Sequence, residues 1–263
     1  MKKNKDIEKL YKKLILFNEI NSDGFRFLKI TRAKQFTKNL SMNKIPLSWK
    51  KIYFKSYPRL TQIKLKRVSH NKNKLFSIIE KRKSERKFKN KNLNLETISK
   101  ILYFSCGIRN LNRSVKNFNK SLRMYPSAGA RYPLEVYPVI LKSNEIPLGI
   151  YHYNIKKNVL ELLFTKNFKK KFCEITNQNW VKRSGMIIII TAVFPRTIVK
   201  YKERGWRYLF FEAGHLAQNI YFTTLISNLK CCTIGGFVDE EVSKLLDISS
   251  RSELPLYLIA VGK

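Results

Sequence analysis

At 263 residues, 44% of them hydrophobic and 13% aromatic, the chain can bury a sizeable core and is not an intrinsically disordered protein. Lys and Arg outnumber Asp and Glu by 53 to 18, for a formal charge of +35. The basic residues are spread over the whole chain beside abundant Asn and Ile. The charge therefore suggests a field that attracts polyanions at low salt, and no specific nucleic-acid partner is expected.

Cys106, Cys173, Cys231 and Cys232 show no Cys-x-x-Cys spacing, and His70, His152 and His215 are scattered. No metal site is expected, and free thiols in a reducing cytoplasm are the expected state. The longest apolar run, Met186 to Phe194, is too short to span a bilayer. The basic N-terminus has no continuous apolar stretch of the signal-peptide kind.

Residues 1–74 form a basic, aromatic-containing extension. Ile7, Leu10, Tyr11, Leu14, Ile15 and Phe17 recur at helical spacing, and Pro46, Trp49, Tyr53, Phe54, Tyr57 and Pro58 make a turn-rich stretch. Those aromatics are expected to pack on the main body, residues 75–263. Lys74 to Arg82 reads as a helix and is followed by Arg82-Lys83-Ser84-Glu85-Arg86-Lys87-Phe88. Two guanidinium forks and a hydroxyl so close together suit a phosphate, although a run of cations can equally be a solvated face. Asn94 is placed to cap a helix that ends at Gly107.

The stretch Pro126-Ser127-Ala128-Gly129-Ala130 is a turn of small residues, over which a flat or anionic ligand can approach the backbone. Leu134 to Leu141 reads as a strand, in which Pro138 argues for an edge or a bulge. Leu148–Tyr153 and Val159–Phe164 read as a hairpin. A polar helix is expected over Asn167 to Gln178, and Met186 to Val193 is a β-branched run expected at the centre of a sheet. Pro195 to Gly205 reads as a polar loop holding Arg196, Lys200, Tyr201 and Arg204. The longest helix follows from Trp206 to Leu229, with a broad face of small residues suited to a subunit contact. On it Glu212, His215 and Asn219 share a face as a structural polar network. A short strand, Cys231 to Ile234, leads into the turn Gly235-Gly236-Phe237, a helix opening at Asp239-Glu240-Glu241, and a last strand from Leu254 to Val261. Strands and helices mix without strict alternation, so the expected class is α+β around a central mixed or antiparallel sheet.

Taken in order, Arg82 to Phe88, Pro126 to Gly129, Gly149-Ile150-Tyr151-His152-Tyr153, Lys200-Tyr201, Arg204 to Tyr208, Glu212-Ala213-Gly214-His215, Gln218-Asn219 and Gly235-Gly236-Phe237 resemble the nitroreductase superfamily. Within it they resemble the SagB-type dehydrogenases, the azoline oxidases of ribosomal peptide maturation. The resemblance covers roughly Leu75 to Gly262. Arg131 departs from it, standing where many relatives carry an aliphatic residue.

The resemblance implies a homodimer that binds FMN at the subunit interface. It places Arg82, Lys83, Ser84 and Arg86 on the phosphate and pyrimidine edge, and Pro126, Ser127, Ala128 and Gly129 along the flavin of the other subunit. Gly235 and Gly236 would offer a backbone N–H to the flavin ring. It further implies two-electron oxidation of a peptide thiazoline or oxazoline to the azole, beside a cyclodehydratase that supplies the azoline on a precursor peptide. Lys200 and Tyr201 would be the catalytic pair, with Arg196 and Arg204 close by to adjust the lysine. Basic phosphate ligands common near the family's C-terminus have no counterpart here except Lys263. A general FMN-dependent nitro or quinone reductase, or a non-catalytic flavoprotein scaffold of the cyclodehydratase, are the alternatives.

Overall fold

A computed structural model describes residues 22–33, 54–66, 73–109 and 121–263. The helical pattern of Ile7 to Phe17, together with Pro46, Trp49 and Tyr53, lies outside them.

Strand β4 (Met186–Val193) is the centre of the fold. Its Ile188 and Ile190 point into one hydrophobic cluster, and Ile187 and Ile189 point into the other, as the two-residue period of a strand requires. That explains an uninterrupted isoleucine run in an antiparallel sheet: both faces are covered. On one face lie α3 (Leu95–Cys106) and the long helix α6 (Arg204–Ile226). On the other lie α4 (Lys169–Thr176) and α7 (Asp239–Leu246).

The sheet has six strands. With β1 (Leu134–Ile140), β2 (Gly149–Asn154), β3 (Val159–Thr165), β5 (Lys230–Ile234) and β6 (Glu253–Gly262), its order is β3-β2-β1-β4-β6-β5. All of its pairings are antiparallel. Pro138 therefore sits in an interior strand and not at an edge. It is accommodated because the recorded pairing of β1 with β2 is confined to Val139 and Ile140, so the ladder on that side has ended before the proline is reached.

The polar loop expected from Pro195 is a short helix, α5 (Pro195–Tyr201). Proline at the first helical turn has the required φ and lacks only an N–H that the helix would not have used. Phe194, Thr197 and Ile198 are buried beneath it. Lys202, at φ 47°, stops it. Asn94 caps α3 as expected, accepting the Thr97 N–H at 3.0 Å.

One helix of the N-terminal region is described, α1 (Asp23–Thr31), capped by Ser22. It spans from α6 to α7. The Gly24 N–H donates to Glu203 Oε2 at 3.0 Å, and the Ala33 N–H donates to Asp239 Oδ2 at 2.9 Å. Phe25 packs on Phe194 and Trp206 between these clamps. By contrast, the burial expected for Phe54 and Tyr57 is not found. Phe54 is 88% exposed, and Ile63 and Leu65 are nearly as open, because no described part of this chain covers them. Among the described residues, no helix is long and apolar enough to cross a membrane.

Candidate active site

Helix α2 (Lys74–Lys81) ends at Arg82, whose guanidinium lies 5.3 Å above the Tyr221 ring. Two residues on, Ser84 Oγ is 2.7 Å from Tyr221 Oη, and the same Tyr221 hydroxyl accepts the Thr233 N–H at 3.2 Å. Backbone bonds fix the segment. The Glu85 N–H donates to the Cys231 carbonyl at 2.9 Å, and the Lys89 N–H to the Lys263 carbonyl at 2.5 Å. Arg82 and Ser84 are thus held as a strap beside β5, with the end of β6 next to them. Arg86 is exposed and near enough to pull on the Cys232 thiol. Lys83 is turned to Glu85 at 2.8 Å, an exposed ion pair of small energetic weight.

At the far end of β5 the Gly235-Gly236 turn faces open space. A Cβ built on Gly236 would meet nothing within 4 Å, and one on Gly235 only Tyr257 at 3.8 Å. The space is a cleft of about 500 Å³, with Phe27, Leu28 and Arg32 of α1 on one side and Phe210, Phe237 and Leu256 on the other. The extension thus contributes a wall that its sequence did not announce.

The second group forms around the small-residue turn. Gly129 adopts φ 58°, a conformation that favours glycine. A Cβ there would collide with Tyr201 Oη and lie 2.8 Å from Lys200 Nζ. The turn and the Lys200-Tyr201 pair, 71 positions apart, are therefore in contact. Lys200 lies 5.1 Å above the Tyr201 ring, which is braced edge-on by Tyr208 at 4.9 Å. The neighbouring Arg196 does not stand free beside Lys200. It pairs with Glu135 at 2.5 Å and donates to the Tyr132 carbonyl at 3.3 Å. Glu135 is shared with His152 Nε2 at 3.1 Å, and His152 Nδ1 meets Glu161 at 2.9 Å. Burial would raise the Glu135 carboxyl, but its bonds to His152 and Arg196 hold it below the usual carboxylate range. The bonds of His152 to Glu135 and then to Glu161 raise its imidazole against the opposing effect of burial.

Helix α6 ties both groups to the fold. Asn219 donates to the Ser105 and Met124 carbonyls at 3.2 and 3.1 Å, holding the start of the turn. Glu212 is 2% exposed and its Oε1 has no hydrogen-bond partner, while His215 is exposed, so the expected shared network of Glu212, His215 and Asn219 is not formed. Tyr221 and Glu212 are nine residues apart on α6. That places them on roughly opposite sides of the helix and about 13 Å apart along its axis. Sequence reasoning missed Tyr221, whose only signal was a phenol on a face of otherwise small and aliphatic residues.

The Nitroreductase family model matches residues 79–263. The chain belongs to the nitroreductase family. Members of this family are generally flavin oxidoreductases, and this nitroreductase-family chain has peptide-processing relatives. It is 30% identical over 191 residues to "Putative nitroreductase MJ1384" of Methanocaldococcus jannaschii, covering 72% of this chain and 91% of that one. It is 27% identical over 146 residues to the microcin B17-processing protein McbC of Escherichia coli, 53% of this chain and 54% of McbC. To the trifolitoxin-processing protein TfxB of Rhizobium leguminosarum it is 31% identical over 102 residues, 36% of this chain and 27% of TfxB. The chain thus spans only about half or less of those two peptide-processing proteins. Among solved structures, a chain of the E. coli microcin synthetase McbBCD complex with truncated pro-MccB17 bound shares the fold, at a TM-score of 0.69 and 21% identity over 92% of this chain and 93% of that one. The structure of a "putative nitroreductase" from Anabaena variabilis gives 0.56 at 29% identity, over 63% of this chain and 34% of that one. With McbC and TfxB among its relatives, the resemblance to the SagB-type branch holds.

Proposed function

We propose that this chain is an FMN-dependent azoline oxidase, which converts thiazolines or oxazolines of a ribosomally made precursor peptide to the aromatic azoles. The observation that carries the reading is the contact of Gly129 with Lys200 Nζ and Tyr201 Oη, which sets a proton-handling pair at a turn flat enough for a ring to lie against. The residues present fit FMN. Arg82, Ser84 and Arg86 offer charge-assisted donors to a phosphate, and Gly235-Gly236 leaves its backbone open to a ring in the cleft. Bound there, FMN supplies the two-electron acceptor. Lys200 takes the ring proton of the azoline at Nζ, Tyr201 orients the ring through its hydroxyl, and Phe27, Phe210 and Leu256 keep water from the cleft.

The opposite placement of Tyr221 and Glu212 on α6 supports a homodimer, in which the Arg82 group of one protomer and the Gly129 group of its partner serve one flavin. The exposed Phe211 and Ile226 of α6 and Phe104 of α3 give such a contact its apolar area. The homology to McbC supports a cyclodehydratase partner, and the four free cysteines suit the cytoplasm.

The test is direct. Purified protein should be yellow, and Lys200→Ala should lose about a hundredfold or more in azole formation with FMN still bound. Colourless protein that takes up no added FMN would sink the reading, and undiminished azole formation in the lysine variant would remove the base assignment. A general nitro or quinone reductase is the second reading, favoured by the length of the match to the M. jannaschii relative. It predicts that Lys200→Ala leaves quinone reduction intact and that no azoline is oxidised.

A further inference from the structure

We propose that Tyr221 is a positioning residue that turns the Ser84 hydroxyl into a hydrogen-bond donor for an anion, through a chain of bonds that runs from Thr233 through Tyr221 to Ser84. The proposal rests on the flavin reading above, in which Arg82 and Ser84 face the FMN phosphate. It adds a residue that touches neither the cofactor nor the substrate.

Three groups crowd the Tyr221 hydroxyl. It accepts the Thr233 N–H at 3.2 Å, and it lies 3.3 Å from Thr233 Oγ1 and 2.7 Å from Ser84 Oγ. Tyr221 is 6% exposed, whereas Ser84 stands in the open on the strap that follows α2. Thr233 is fixed by its pairing with Ile259 of β6. It lies on β5, an edge strand of the sheet, where outward backbone groups need partners. The phenol of α6 supplies one, and its hydroxyl meets the strap from beneath.

A phenol and a serine hydroxyl carry one hydrogen each, so two arrangements satisfy this cluster. In the first, Ser84 donates to Tyr221 and Tyr221 donates to Thr233 Oγ1. The serine then shows only lone pairs to the outside. In the second, Thr233 donates from Oγ1 as well as from its N–H, Tyr221 donates to Ser84, and the Ser84 hydrogen points outward. A phosphate oxygen is an acceptor, so the first arrangement repels it and the second gives it a donor. In the second, moreover, every hydroxyl both accepts and donates, and bonds in such a chain strengthen one another.

The same side chain places Arg82, whose guanidinium lies 5.3 Å above the ring. One tyrosine thereby sets two donors of the strap, Arg82 with its ring and Ser84 with its hydroxyl. The course of the strap does not depend on that hydroxyl. The backbone bonds of Glu85 to Cys231 and of Lys89 to Lys263 fix it on their own. Removing the hydroxyl alone therefore isolates its effect on Ser84.

The experiment measures dissociation constants for FMN and for riboflavin, which lacks the phosphate, from quenching of flavin fluorescence at one fixed pH. The proteins are the full chain, Tyr221→Phe, Ser84→Ala, the double variant of these, and Thr233→Val. Ser84→Ala should weaken FMN about tenfold relative to riboflavin. Tyr221→Phe should weaken FMN about fivefold and riboflavin less than about twofold. The double variant should be no weaker than Ser84→Ala alone, where independent contributions would multiply to about fiftyfold. Thr233→Val keeps the phenol and every backbone bond, and so tests the chain should Tyr221→Phe fail to fold. It should weaken FMN about threefold and leave riboflavin unchanged. Equal losses for the two ligands in Tyr221→Phe or Thr233→Val would overturn the proposal, as would single-variant losses that multiply in the double variant. Wild-type FMN affinity in Tyr221→Phe or Thr233→Val would overturn it as well. A wild type that binds neither flavin, or binds FMN no more tightly than riboflavin, would refute the flavin reading itself, a result seen before any variant is made.

Discussion

The Arg82 group and the Gly129 group lie on the same helix and are built on opposite principles. Around Tyr221 the side chains are cationic and solvent-accessible, and the strap that carries them is pinned by ordinary backbone bonds to Cys231 and Lys263. Around Gly129 the backbone is in positive-φ conformations, and the geometry depends on side-chain bonds, from Asn219 to Met124 and from the Tyr132 N–H to Ser127. An anion asks for charge and tolerates loose placement, because Coulombic attraction falls slowly with distance. A flat neutral ring asks for close approach, which only small residues in a fixed conformation allow. On the proposed reading the two halves answer those two demands, and their placement across α6 makes each incomplete within one protomer.

The largest expected effect separates the halves by charge. Replacing Arg82 and Ser84 together by Ala removes a charge-assisted donor and a hydroxyl, so FMN affinity should fall by about a hundredfold or more. Riboflavin, which has no phosphate, should lose far less, and titration of both ligands against the double variant checks this. Equal losses for the two ligands would mean that Arg82 and Ser84 do not face a phosphate.

Gly129→Ala tests the other half by shape. The substitution forces a Cβ into Tyr201 Oη and close to Lys200 Nζ and adds the cost of a left-handed conformation, about 1–2 kcal/mol. We expect turnover and the affinities for FMN and riboflavin to fall alike, by about tenfold, because this half meets the ring and not the phosphate. Kinetics beside titrations of both ligands give these numbers. A variant that weakens FMN but leaves riboflavin untouched would place the turn on the phosphate and not on the ring.

The two halves also differed in how far the sequence disclosed them. The isoleucine run of β4 announced a central strand, since a strand covered on both faces needs no polar alternation. Asn94 and Gly107 marked the ends of α3 because capping chemistry is local. Arg82-x-Ser84 and Gly235-Gly236 stood out as motifs because each is a run of a few neighbouring residues. What stayed hidden was long-range. Lys200-Tyr201 against Gly129, and Asn219 against Met124, are contacts across 71 and 95 positions, and no periodicity encodes them. The helix at Pro195 was missed because its stability comes from burying Thr197 and Ile198, a tertiary gain that overrides a polar sequence. The wall that α1 builds beside Gly236 rests on clamps to Glu203 and Asp239, which lie 179 and 206 positions away and leave no local signal.

The smallest expected effect concerns the scaffold beneath Lys200, where His152 joins Glu135 to Glu161 and Glu135 holds Arg196 at the start of α5. The His152 imidazole is raised above its ordinary value near 6.5, chiefly by its bond to Glu135. The folded chain therefore binds this proton more tightly than the unfolded chain does. The stability it adds is complete below about pH 6.5 and disappears as pH rises through the higher folded value. His152→Asn should accordingly cost about 1 kcal/mol at pH 5.5 and progressively less toward pH 9, measured by denaturant unfolding of both proteins at each pH. Because Glu135 keeps its Arg196 partner, the variant should move α5 little, and FMN affinity should stay within about twofold of wild type. A cost that grows with pH would mean that His152 is held neutral and that Glu135 owes its low value to Arg196 and Arg123. The Lys200 side of the site would then depend on a single ion pair, where the Arg82 side has a backbone-anchored strap.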